Sequence, residues 1–175
     1  KEQNRHTRAL LDQVPGRDAL AKRLAEINEY VRTTAPKKVA GRLFYLQQNG
    51  RQNQPSLYMR DERGGTRIVL DVNTLSKEGL AAIAVWTPSP DGKYVAYGIA
   101  KAGSDWNEWF VRDVESGKNL PDRLEWVKFA SPEWSAAGDG FYYTTYPAPK
   151  PGEELTAETK NARLFFHKLG RKQSE

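Results

Sequence analysis

A pattern that occurs twice leaves this chain little choice of architecture. Trp86-x4-Asp91-Gly92-x-Tyr94 returns as Trp134-x4-Asp139-Gly140-x-Tyr142, with every marker displaced by 48 residues. Each copy joins a turn to a strand. In Ser89-Pro90-Asp91-Gly92, proline pre-sets φ, aspartate can accept from the nearby backbone, and glycine tolerates left-handed geometry. Tyr94-Val95-Ala96-Tyr97-Gly98-Ile99-Ala100 follows, apolar at odd and even positions alike, as a strand covered on both faces should be. Gly140 leads into Phe141-Tyr142-Tyr143-Thr144-Thr145-Tyr146, rich in aromatic and β-branched residues. A period in the forties with several strands per repeat marks a propeller blade.

Short strands and turn clusters fill the chain from residue 39 onward. Residues 43–46, 57–59 and 68–70 predict a meander, turned at Gln48-Asn49-Gly50-Arg51 and Gly64-Gly65. This unit has the strand layout of a blade but lacks the Trp-Asp-Gly marker. The second unit runs through 81–86, 94–100 and 109–114, turns at Glu115-Ser116-Gly117-Lys118, and continues over 120–129. The third opens at Trp134 and, after a Pro/Gly/Lys-rich insertion, continues at 164–169. Trp86, Trp109 and Trp134 are expected in the core or between blades.

Ahead of residue 39 the texture is helical. Residues 1–13 read as the end of a helix, stopped by Val14-Pro15-Gly16. Asp18 is placed to cap a second helix, in which Leu20, Leu24, Ile27 and Val31 form one apolar stripe. Thr33-Thr34 and Ala35-Pro36 end it. The expected division is a helical segment at 1–38 and a mainly β part at 39–175. The stripe needs a surface to lie on.

Composition narrows the function. The net charge of +5 invites a nucleic-acid reading, but residues 39–175 hold 18 Lys+Arg against 17 Asp+Glu. The surplus lies in residues 1–38, mixed with acids, as on a solvated helix face rather than a concentrated basic one. No apolar run approaches the length of a membrane span. Without cysteine there is no disulfide, thiol nucleophile or cysteine-ligated zinc. No metal or other cofactor is expected, since no histidine pair or carboxylate cluster has ligand spacing. The chain starts at Lys1, so an upstream targeting segment stays compatible and the compartment, cytoplasm or periplasm, stays open. A serine hydrolase needs a nucleophile on a strained turn, a histidine base and an orienting carboxylate. No G-x-S-x-G occurs, and His6 and His167 suit surface or structural roles.

One run of motifs is more specific than any of these. It comprises Leu11-Asp12-Gln13-Val14-Pro15-Gly16-Arg17, Gly50-Arg51-Gln52-Asn53-Gln54-Pro55, and Leu70-Asp71 with Asn73-Thr74-Leu75-Ser76. Ser89-Pro90-Asp91-Gly92, Ala102-Gly103-Ser104-Asp105-Trp106, Leu120-Pro121-Asp122 and Val127-Lys128-Phe129 continue it. His167-Lys168-Leu169-Gly170 and Gln173-Ser174-Glu175 complete it. In order and spacing the chain resembles the N-terminal part of a bacterial prolyl oligopeptidase (prolyl endopeptidase), a family of serine peptidases. Val72 departs from the family's proline, a loop change.

The resemblance implies an α/β-hydrolase domain capped by a seven-bladed β-propeller inserted into it. The expected fold here is mainly β: a partial propeller of about two and a half blades, preceded by the N-terminal α-helical segment. The chain would stop within the third blade. The helices would pack on the hydrolase domain of the same polypeptide, which would carry the catalytic triad. The full-length enzyme would cleave short proline-containing peptides after proline, and this part alone would be inactive. Phe129 is implied as the lining of a pocket for a residue upstream of the proline; a core phenylalanine is the alternative. Asp105 and Trp106 are implied at the domain interface, with a local turn cap as the alternative for Asp105. Two other functions stay open: a non-catalytic binding propeller, and an oligopeptidase that cleaves after basic residues.

Overall fold

The computed structural model describes residues 2–76 and 78–173; Ser174-Glu175, the end of the last motif, lie outside them. Two helices, α1 (Glu2–Leu11) and α2 (Arg17–Asn28), precede three antiparallel sheets. Gly16 occupies the N-cap of α2 at φ 80, with no side-chain cap bond, so Asp18 lies inside the first turn instead of capping it. The expected stripe breaks at its end, because α2 stops at Asn28 and Val31 falls beyond it. Leu20, Leu24 and Ile27 stay exposed.

The first sheet starts earlier than residue 39. Short strands β1 (Arg32–Thr33) and β2 (Lys37–Val39) both pair with β3 (Arg42–Gln48), followed by β4 (Ser56–Arg60) and β5 (Thr66–Leu70). Ala40 and Gly41, at φ 47 and 77, make the two-residue β2–β3 turn that matches strand twist. The second sheet is a four-strand meander: β6 (Ala81–Pro88), β7 (Tyr94–Lys101), β8 (Asn107–Asp113) and β9 (Asn119–Val127). The third has β10 (Glu133–Trp134), β11 (Gly140–Thr145) and β12 (Arg163–Lys168). This is the partial propeller expected from the repeat.

Alternation along β7 explains its apolar composition. Val95, Tyr97 and Ile99 enter a core with Phe44, Leu57, Met59, Val69 and Leu70 of the first sheet. Ala96, on the opposite face, joins Trp109, Val111, Leu124, Phe141 and Tyr143 between the second and third sheets. Val72 is fully buried in the first of these cores, at the start of a 3₁₀ turn. Its position is therefore part of the packing rather than a free loop, and a first helical position is one that proline also suits.

The repeat is real, but its structural register differs from that of its markers. Gly92 and Gly138, at φ 68 and 69, donate to the carbonyls of Ser89 and Ser135, 2.8 and 3.0 Å away. Equivalent residues are thus 46 apart rather than 48. Trp86 and Pro88 of one blade correspond to Pro132 and Trp134 of the next, the bulky pair exchanged in order. A two-residue displacement leaves side chains on the same face, so both indoles still serve blade packing. Trp134 donates Nε1–H to the Thr87 carbonyl at 3.0 Å, and Trp86 lies 4.5 Å from Lys37 Nζ.

Candidate functional site

The loop after β7 and the connection after β9 meet at one end of the second sheet. Ala102 and Gly103 are both left-handed, at φ 51 and 75, which reverses the chain within two residues. The Ser104 hydroxyl accepts from the Trp106 N–H at 3.1 Å, so the turn is fastened by Ser104 and not by the Asp105 carboxylate. Asp105 is exposed, and its main-chain carbonyl receives the Asn107 side-chain amide at 2.8 Å.

Trp106 is half-buried and well held. Its Nε1–H donates to the Glu154 carbonyl at 2.7 Å, which ties the insertion between β11 and β12 to the second sheet. Its ring stands edge-on to Trp126, centroids 5.6 Å apart, and Lys128 Nζ lies 4.0 Å from its centroid. Thus Trp106 has a local packing role beside any contact with another domain.

Phe129 stands out by geometry. It is 74% exposed, whereas Val127 and Lys128 before it are buried, so it is not a core phenylalanine. Its φ is 54, and Trp126 three residues earlier is at φ 59. A left-handed backbone costs a non-glycine residue about 1 kcal/mol or more, and such strain clusters where function orders it. Phe129 and Asp105 line a cavity of about 520 Å³ together with Ser104, Asn107 and Ser131. The volume falls within the ordinary range for ligand pockets. An exposed ring over a polar-edged hollow can receive an apolar side chain and orient it, but holds no nucleophile–base pair.

Sequence reasoning missed a buried pair. His167 Nε2 and Asp122 Oδ1 are 2.7 Å apart, with side chains 2% and 0% exposed. The same oxygen accepts the Gly170 N–H at 2.8 Å. Phe141 and Tyr143 flank the imidazole, and burial holds the Tyr143 hydroxyl above its usual pKa despite a hydrogen bond with Gln173. The pair bolts β12 to β9. Its signal was present, since Leu120-Pro121-Asp122 and His167-Lys168-Leu169-Gly170 are both motifs of the resemblance. Among the described residues, no three His, Asp or Glu side chains converge as metal ligands.

Residues 1–175 match the family model described as the prolyl oligopeptidase N-terminal β-propeller domain. A prolyl endopeptidase of Elizabethkingia meningoseptica is 37% identical over all of this chain and 25% of its own length. A solved prolyl endopeptidase superposes with a TM-score of 0.88 at 33% identity, over 99% of this chain and 26% of that one. Prolyl oligopeptidase B from Galerina marginata, bound to a 35mer hydrolysis and macrocyclization substrate, gives 0.83 at 27% identity, over 96% and 26%. The chain thus spans about a quarter of the length of the curated relatives it matches.

Proposed function

Because this chain belongs to the prolyl oligopeptidase family, within its N-terminal β-propeller part, we propose that it is the gating portion of a serine peptidase that cleaves short peptides after proline. In this reading the α/β-hydrolase domain of the same polypeptide supplies serine, histidine and aspartate, and no residue here takes part in bond making. The helices pack their exposed leucines against that domain. The blades bar folded proteins from the nucleophile and leave room for short chains.

Phe129 carries the reading. A strained, exposed phenyl group beside a cavity is better explained by a ligand than by packing. Its ring offers apolar area with little rotamer entropy to lose, and would seat a side chain upstream of the proline. Asp105, exposed and without a carboxylate partner among the described residues, would meet a polar group across the domain cleft in this reading.

Phe129→Ala in the full-length enzyme tests this. The kcat/KM for proline peptides long enough to reach the pocket should fall about tenfold, the worth of one lost apolar contact. Dipeptide-length chromogenic substrates should change much less. An equal loss at every length would remove Phe129 from the site. Faster cleavage of an Arg-Arg than of a Gly-Pro chromogenic peptide by the wild type would replace proline specificity with basic specificity.

A further inference from the structure

A second cavity, of about 210 Å³, adjoins the first: Ser104 and Asn107 line both. Its walls include the indoles of Trp106 and Trp126, set at 84° to each other, and its lining includes the carboxylate-bearing Glu108, Glu125 and Glu154. The hydrogen bond from Trp106 to the Glu154 carbonyl fixes one wall.

We propose that this slot is a second peptide subsite, which takes a lysine or arginine side chain. The inference rests on the reading of the Phe129 cavity as a peptide site. An extended peptide places alternate side chains on one face roughly 7 Å apart, a step that adjoining cavities suit. The choice of a basic occupant comes from the slot's chemistry. Two indoles accept a methylene stem, and an ammonium or guanidinium is drawn to aromatic faces. Trp106 already carries Lys128 over its ring, which leaves Trp126 as the wall for the incoming stem.

Charge points the same way. Glu108, Glu125 and Glu154 line the slot with Lys101, and the cations Arg123 and Lys128 stand beside it, so the local charge turns on which carboxylate is left unneutralised. Glu108 is neutralised by Lys101 at 2.6 Å and Arg123 at 3.2 Å, and Glu125 by Arg123 at 2.7 Å. Glu154 has no cation within ion-pair distance among the described residues; its carboxylate accepts the Gly152 N–H at 3.1 Å. Backbone N–H groups of Glu154 itself and Gly152 hold its carboxyl below the usual glutamate pKa, so it is ionised at neutral pH, where a lysine is charged too. A purely apolar occupant would dehydrate the Glu154 carboxylate without replacing its water.

The test uses the full-length enzyme and proline peptides that carry lysine, norleucine or glycine two residues upstream of the one held at Phe129. Wild type should favour lysine over norleucine, and Glu154→Gln should cut that preference about threefold, as expected for an exposed ion pair. Added salt should erode the preference in wild type and hardly at all in Glu154→Gln. Trp126→Ala should lower lysine and norleucine peptides alike, relative to glycine, and Trp126→Phe should restore most of the loss. Norleucine equal to or better than lysine in wild type overturns the proposal, as does a preference untouched by Glu154→Gln. The outcome for Phe129→Ala separates the two readings. If its loss depends on length while Glu154→Gln is silent, only the second subsite falls; if neither variant responds, the peptide cleft itself does.

Discussion

Asp122 accepts two hydrogen bonds on one oxygen, from His167 and from the Gly170 N–H, where both side chains of the pair are almost wholly removed from water. Its other oxygen is buried with no partner among the described residues. Truncation to alanine would leave an imidazole nitrogen and an amide N–H unsatisfied at that depth, a cost of at least about 2 kcal/mol. Asp122→Ala in the full-length enzyme should therefore lower the denaturant midpoint clearly, while Lys160→Ala, on the exposed insertion, leaves it nearly unmoved. Equal midpoints would show that the pair contributes nothing to holding the blades. Such a pair has a weak sequence signature, because its members are 45 residues apart and each sits in an ordinary strand context. The same holds for Phe129: its motif pointed to a pocket, but left-handed geometry and exposure arise from how the β9–β10 connection packs, which no local pattern encodes.

Blade formation was far more legible, because a strand buried on both faces must be apolar at consecutive positions. Residues 94–100 carried that signal, and β7 feeds one core with Val95, Tyr97 and Ile99 and another with Ala96. The markers misplaced the repeat by two residues since each aspartate bonds its turn serine from a different position: Asp91 reaches Ser89, and Asp139 reaches Ser135, both at 2.7 Å. The α2 stripe failed at Val31 for another reason. Its residues are not buried here, so no packing forces the helix to run that far. Gly98 shows how tightly the blades are fitted. A Cβ there would stand 2.7 Å from Trp109 Nε1 and 2.9 Å from a Val85 methyl carbon. Trp109 is fully buried, and it packs on Phe141 at 6.2 Å and Tyr143 at 6.2 Å, so it has little room to retreat. Gly98→Ala should cost about 1–3 kcal/mol, the usual range for overpacking. A thermal melt of the full-length variant measures it, and an unchanged Tm would mean that the indole can shift after all.

At the scale of the molecule, three sheets share two cores, while apolar surface remains open at two places. Leu10, Leu11, Val14, Leu20, Leu24 and Ile27 are exposed along the helices. Tyr142, Leu164, Phe165 and Phe166 are exposed on the third sheet, and β12 pairs on one side only, with β11, among the described residues. Exposed apolar patches and open sheet edges both promote association. Blades also stabilise one another chiefly through nearest-neighbour faces, so a blade stacked on one side holds only part of its stability. The 175-residue chain produced alone should consequently sediment as a mixture of associated species, melt without a sharp transition and bind a dye for exposed apolar surface. If the proposed α/β-hydrolase domain and further blades follow in one polypeptide, their presence should abolish all three behaviours. A single monomeric boundary with cooperative melting from the short chain would show that the two cores suffice by themselves, and that the exposed leucines and phenylalanines are tolerated surface rather than faces awaiting a partner.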